Sequence, residues 1–235
     1  MRRVLVTRPE PGASKTARKL RQMGLEPLLL PLTRIEALPV ELLGGSPDFA
    51  AIAVTSPNAA RHAPPELTKS LSGLPTYAVG KTTAAVSRAI GLNVVDDSAG
   101  DAAGLRRVIA DKVEPRSKVL VLCGRVRRDI LEQGLVDAGF TPRLVEVYDT
   151  LSTTPSAAEA AAVLGETPVD VVLLYSAFAA DEFTRLLEKM DDLTAFETAA
   201  FIAISARIRS HLPAPYSDRV SVAAEPNEEA MLSLL

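Results

Sequence analysis

The sequence predicts an α/β protein built on doubly wound parallel sheets, and three observations predict it. Short apolar runs rich in Val, Leu and Ile recur roughly every 20 to 25 residues. Most are continuously apolar rather than alternating, as in strands covered on both faces. Between most of them lie amphipathic stretches of helical spacing, several closed by glycine. Strands alternating with helices in this way define the class.

In chain order the runs are "RVLVT" (3–7), "PLLLPL" (27–32), "FAAIAVT" (49–55), "TYAVG" (76–80) and "NVVD" (93–96). They continue with "KVLVL" (118–122), "RLVEVY" (143–148), "VDVVLLYS" (169–176), "AAFIAIS" (199–205) and "RVSVA" (219–223). Expected helices include "SKTARKLRQMG", "TTAAVSRAIG", "RRDILEQGLVDAG" and "ADEFTRLLEKM". The chain also repeats itself. Residues 2–36 align without a gap on 117–151, with Gly24 and Pro27 falling on Gly139 and Pro142. "VTSPNAA" (54–60) aligns on "LYSAFAA" (174–180), "AVGKTTAAVSRAIG" (78–91) on "AISARIRSHLPAP" (203–215), and "NVVDDSAGDAAGL" (93–105) on "RVSVAAEPNEEAM" (219–231). Five strands per half and a shared G-x-x-P point to gene duplication and two similar lobes.

Composition bounds the function. The 235 residues allow one or two domains. A net charge of −3 gives no basic field for nucleic acid or anionic lipid. The longest uncharged apolar run, "FAAIAV", is far short of the roughly 20 residues of a membrane span, and no apolar stretch of signal-peptide length follows the N-terminal arginines. The single Cys123 excludes an internal disulfide and a cysteine-based zinc cluster, and His62 and His211 have no metal-ligand spacing. The expected compartment is the cytoplasm. No G-x-G-x-x-G or G-x-x-x-x-G-K-[ST] follows a strand, and "AVGKTT" reads as a strand end and helix start capped by Thr82 or Thr83.

Open α/β sheets bind ligands outside the carboxyl ends of their strands. The residues there are Thr7 and Arg8; Thr55, Ser56 and Asn58; Gly80, Lys81, Thr82 and Thr83; Gly124, Arg125, Arg127 and Arg128; Tyr175 and Ser176; Ser205, Arg207 and Arg209. Hydroxyls, an amide, cations and helix N-termini suit anions. Little suits acid–base work. His62 is expected on the solvent face of a short helix, His211 at a helix end, and Cys123 in the core. Arginines near Cys123 could lower its pKa. "GRVRRD" puts three arginines within four positions, so they cannot all face one way; Arg128 and Arg8 are the favoured ligand contacts. Ser56 and Ser176, at equivalent positions, are expected helix caps.

Taken together, "VLVTRPEPGASKTARKLRQMGLEPLLLPLTRI", "VTSPNAAR", "TYAVGKTTAAVSRAIGL", "VEVYDT" and "LLYSAFAADEF" resemble the uroporphyrinogen-III synthase family of tetrapyrrole biosynthesis, from residue 3 to the C-terminus. The resemblance implies two similar doubly wound, flavodoxin-like parallel-sheet lobes joined by two linker strands. It places residues 1–34 with 151–235 in one lobe, 37–147 in the other, and the linkers at 33–38 and 146–152. It implies that hydroxymethylbilane, a linear tetrapyrrole with eight carboxylates, is closed with inversion of its last ring and loss of water, using no cofactor or metal. A monomer is expected, with transient contact with the upstream bilane-forming enzyme. Carried over residue by residue, Tyr148 assists departure of the substrate hydroxyl, and Ser56, Thr83, Ser176 and Arg128 match binding positions. Arg8, Asn58, Lys81, Thr82 and Ser205 join them as strand-end candidates. Two positions depart from the family pattern. Cys123 stands where an arginine is frequent, with Arg125 as a substitute, and "AISARIRSHL" lacks the usual threonines, which puts Arg207 forward as a carboxylate contact. The competing readings are a two-lobed anion-binding protein without chemistry and an inactive synthase-like domain.

Overall fold

Val4, Leu5 and Val6 have no exposed surface, which is why Arg3–Val6 (β1) forms an interior strand rather than an edge. In the computed structural model, which describes residues 1–41 and 48–235, the chain divides into two units. One comprises Met1–Ile35 and Leu151–Leu235, the other Glu36–Thr150.

In the first unit β1 is followed by helix α1 (Gly12–Gln22) and strand β2 (Glu26–Leu29). After residue 151 come α7 (Ala157–Leu164), β9 (Val171–Leu174), α8 (Ala177–Leu187), β10 (Ala200–Ala203), β11 (Val220–Val222) and α9 (Glu228–Leu232). The sheet order is β2-β1-β9-β10-β11, with neighbouring strands parallel throughout, such as Val4 beside Val171 and Phe201 beside Val172. Counted along the unit, this is the flavodoxin-like order 2-1-3-4-5, whose switch point lies between β1 and β9. Side chains alternate between two cores. Val4, Val6, Val171, Leu173 and Ile202 pack with Ala13 and Leu20 of α1 and Met231 and Leu232 of α9. Leu5, Leu28, Val172, Leu174 and Phe201 pack on the other face with α7 and α8. There Phe183 meets Phe196 and Phe201 edge-on at 5.1 and 5.7 Å.

The second unit contains β4 (Ala51–Val54), α2 (Pro57–Arg61), α3 (Pro65–Leu71), β5 (Pro75–Ala78), α4 (Lys81–Ala89), β6 (Asn93–Asp96) and α5 (Ala102–Lys112). They are followed by β7 (Lys118–Gly124), α6 (Ile130–Asp137) and β8 (Thr141–Ser152), which runs into the first unit. The order is β8-β7-β4-β5-β6, with β3 (Thr33–Ala37) added beside β8. The five-strand order is that of the first unit, with its switch point between β7 and β4. One face carries α5 and α6 through Leu105, Ile109, Leu131 and Leu135; the other carries α2 and α3 through Ala59, Ala60, Leu67 and Leu71.

The chain passes from one unit to the other within β3 and again near the end of β8. The Leu38 amide donates to Val147 at 3.0 Å and the Thr153 amide to Leu32 at 3.1 Å, so the two segments run in opposite directions. The repeats differ here. β8 is continuous over twelve residues, whereas its counterpart breaks into β2 and β3. Pro31 occupies the aligned position of Glu146, and a proline cannot donate to a ladder. The shared glycines Gly24 and Gly139 sit at φ 75° and 85°, left-handed helix ends that a side chain would strain. Two expected helices are shorter. "RRDILEQG" becomes helical only from Ile130, leaving Arg125, Arg127 and Arg128 on a turn. "AISARIRSHL" yields a single 3₁₀ stretch, Ala206–His211, stopped ahead of Pro213 and Pro215.

Candidate functional site

In the second unit the residues at the switch point surround a pocket of about 190 Å³. It is lined by Thr55 and Ser56 from the end of β4, Gly124 from the end of β7, Tyr148 from β8, Ala102 from the start of α5, and Arg128. Ser56 is the N-cap of α2, in extended backbone, its Oγ accepting from the Ala59 amide at 3.0 Å. That Oγ also lies 3.1 Å from the Tyr148 hydroxyl. Burial raises the Tyr148 pKa above its ordinary value, against the opposing bond from Ser56, so the phenol keeps its proton at neutral pH. The ring lies flat against Gly124: a Cβ built there would stand 2.5 Å from Cζ and 2.8 Å from the hydroxyl oxygen. His62 is half-buried, its ring centroid 6.0 Å from that of Tyr148, rather than on the solvent face expected of it. It is the C-cap of α2, and the Tyr148 ring beside it covers part of its surface. Burial lowers its pKa, helped by the charge of Arg61.

The three arginines of "GRVRRD" separate by partner. Arg125 pairs with Glu146 at 3.1 Å and with Asp149 at 3.4 Å. Arg127 pairs with Glu146 at 2.7 Å and with Glu132. The Arg128 guanidinium has no partner among the described residues and lines the pocket. Arg125 is therefore committed and does not act as a free substitute for the cation missing at Cys123. The Cys123 thiol is fully buried, and burial pushes its pKa up to about 11 against the weaker pull of Arg127. The nearby arginines do not activate it, because burial outweighs the pull of Arg127, and Glu132 and Glu146 add to the rise.

In the first unit the equivalent crevice, between the ends of β1 and β9, is filled with side chains. The Arg8 guanidinium stacks on the Tyr175 ring with Cζ 4.1 Å from the centroid. Its other side lies over Gly12, where a Cβ would come within 2.5 Å of Nε. Arg8 Nη1 is 2.9 Å from Glu228 Oε1. Glu228 also accepts from Thr16, Lys19 and, at 3.3 Å, the Tyr175 hydroxyl. Ser176 caps α8, accepting from Ala179 at 3.1 Å, as Ser56 does in the other unit.

The remaining candidates divide by exposure. Lys81 and Thr82 are exposed, whereas Thr83 is only 2% exposed and packs into the core, so its hydroxyl is no surface contact. The cap expected of these threonines does not form: α4 starts one residue earlier, with Gly80 as N-cap. Asn58 accepts from Arg61 at 2.9 Å. Ser205 precedes the 3₁₀ stretch without capping it, and Arg207 is exposed with no side-chain partner among the described residues. His211 Nδ1 pairs with Asp181 at 2.8 Å. Among the described residues no helix is long and apolar enough to cross a membrane. Glu228 and Thr16 lie outside the strand-end residues that the sequence puts forward, whereas Gly124 is among them. Glu228 was within reach of the repeat alignment, which sets it against Ala102.

The fold and these strand ends define a class: paired flavodoxin-like α/β units whose switch points carry hydroxyls, phenols and cations. The crystal structure of uroporphyrinogen-III synthetase from Helicobacter pylori matches with a TM-score of 0.69 at 20% identity, covering 100% of this chain and 98% of that one. A mutant uroporphyrinogen III synthase from the extremely thermophilic bacterium Thermus thermophilus matches with a TM-score of 0.53 at 18% identity, covering 90% and 88%. At such identities these likenesses show the fold. The sequence profile of uroporphyrinogen-III synthase HemD matches residues 14–233, and the chain belongs to that family. Its activity is that of a cyclising lyase of porphyrin and heme biosynthesis, acting on a tetrapyrrole. Nothing in these matches supports an anion-binding protein without chemistry.

Proposed function

We propose that hydroxymethylbilane is held through its carboxylates by Arg128, Lys81 and Arg207, which have no side-chain partner among the described residues, and by Arg8. In this reading Tyr148 donates the proton with which the substrate hydroxyl leaves as water. Loss of the hydroxyl leaves an electron-poor carbon. The substituted α-carbon of the last pyrrole ring attacks it to give a spiro intermediate, whose bond to the neighbouring bridging methylene breaks and re-forms at the free α-carbon with loss of its proton, closing the macrocycle with that ring inverted. The observation that carries this reading is the protonated, partly buried Tyr148 hydroxyl, 3.1 Å from Ser56 in the pocket that Arg128 lines. A phenol of raised pKa is a donor and a poor base. Positioning and fixed charge supply the rest of the catalysis. Ser56 and Ser176 present hydroxyls at helix starts, and Asn58, Thr82 and Ser205 stand at strand ends where polar contacts to the same substrate would fall. The test is incubation with enzymatically generated hydroxymethylbilane, oxidation of the products, and chromatographic separation of isomers III and I. Isomer III in excess supports the reading, and isomer I alone overturns it.

We further read the enzyme as a cytoplasmic monomer, in keeping with its one free, buried cysteine. Transient contact with the upstream bilane-forming enzyme fits the chemistry, since the free bilane closes unaided to the uninverted isomer. We also read the lobe limits as 1–34 with 151–235 and as 37–147, a duplication in which the first two strands of each half serve the other half's sheet.

A further inference from the structure

We infer that the Arg8–Thr16–Lys19–Tyr175 cluster of the first unit is a built carboxylate site whose resident occupant is the chain's own Glu228, and that Glu228 gates substrate access to Arg8. The inference rests on the reading of Arg8 as a substrate contact and specifies how that contact is regulated.

The argument begins with the repeat. Asp101 and Asn227 occupy aligned positions and perform the same task, each capping its helix by accepting from the backbone amide three residues on. The residue after each cap is therefore equivalent in space as well as in sequence: Ala102 in the second unit, Glu228 in the first. Ala102 lines an open pocket at the β7–β4 switch point. Glu228 instead projects a carboxylate into the corresponding crevice at β1–β9. There one oxygen meets Arg8 at 2.9 Å and the Tyr175 hydroxyl at 3.3 Å, and Thr16 and Lys19 complete the set. Two cations and two hydroxyls converging on one carboxylate constitute a recognition site for that group.

Two features show that Glu228 serves the crevice rather than the attachment of its helix. Met231 is fully buried and Leu232 is 8% exposed, both in the core against α1, so α9 is anchored by apolar contacts. Arg8 is also held without Glu228, between the Tyr175 ring and the Gly12 backbone. The cation is thus preorganised, and the carboxylate upon it is exchangeable. Burial pushes the Glu228 pKa up, but hydrogen bonds from Lys19 and Thr16 and the charge of Arg8 outweigh it and keep the group ionised. An incoming substrate carboxylate replaces like with like at Arg8, and Glu228 turns to Lys19, which is half exposed.

The test uses the full chain, with mellitate (benzenehexacarboxylate) as a probe that cannot turn over. Binding is measured by titration calorimetry, beside KM for the bilane. Glu228→Ala installs the residue of the other repeat, and Glu228→Gln removes the charge with the least change of shape. Both should tighten mellitate about two- to fivefold, the range of a partly exposed ion pair, and lower KM in the same proportion. The gain should vanish when Arg8→Ala is added. Unchanged or weaker mellitate binding in both Glu228 variants, with Arg8→Ala alone still raising KM, would sink the gate and leave Arg8 as a contact. A parental KM in Arg8→Ala would sink the reading of Arg8 itself.

Discussion

Replacing Gly124 with alanine tests the site through its geometry. The backbone there is not in the left-handed region, so alanine fits the strand, and the three atoms nearest to the added Cβ all belong to Tyr148. The new Cβ would lie 2.5 Å from the ring Cζ. Ordinary carbon contacts need about 3.5–4.0 Å, so the ring must withdraw by about 1 Å or more. That is enough to break the 3.1 Å contact with Ser56 and to move the proton donor off its mark. Crowding of this kind costs about 1–3 kcal/mol of stability, and a misplacement of about 1 Å can cost about a hundredfold in rate. Gly124→Ala should therefore remain folded, keep KM near the parental value and lose kcat by about ten- to a hundredfold, with isomer III still the main product. The assay is steady-state cyclisation with isomer analysis, in the parent and in a Tyr148→Phe background. Because the loss passes through the phenol, it should shrink in that background. A parental kcat, or an equal loss without the phenol, would refute the reasoning.

Tyr148→Phe itself should leave fold and affinity intact and lower kcat toward the small end of the roughly 10²–10⁴ range of general-acid help, since the bilane also loses its hydroxyl unaided; parental turnover would reduce Tyr148 to packing. Arg128→Ala should raise KM about fivefold, worth about 1 kcal/mol for an exposed cation, whereas Arg125→Ala, already paired with Glu146 and Asp149, should change KM little. KM should climb with added salt as screening weakens the hold on a polycarboxylate; a flat profile counts against the anion site. With its pKa pushed up to about 11, Cys123 holds only about one part in a thousand of thiolate at pH 8. Iodoacetamide should leave the folded enzyme unlabelled and fully active, and rapid inactivation would contradict the buried placement.

By itself the sequence determined the class of fold. Runs such as "RVLVT" and "KVLVL" are apolar without alternation, and only strands covered on both faces need that. It determined the duplication, through G-x-x-P at Gly24 and Gly139, because a helix stop in left-handed backbone is written into the local chain. It also placed Arg8, Ser56 and Ser176 at strand ends, since a strand end is a local feature, whereas Tyr148 lies within the longer β8, opposite the end of β7. The tertiary structure decided which halves share a sheet, by setting Val4 beside Val171 and Leu120 beside Ile52. It decided which cations are available: three neighbouring arginines look alike in "GRVRRD", yet Glu146 and Asp149, some twenty residues on, engage two of them and leave Arg128 without a partner among the described residues. It buried Thr83 and exposed Thr82, and it set Glu228 on Arg8 across 220 positions of chain. Propensity and burial pattern act between near neighbours and can be read along the chain. Charge pairing and access depend on which distant segments meet, and only the folded chain fixes that.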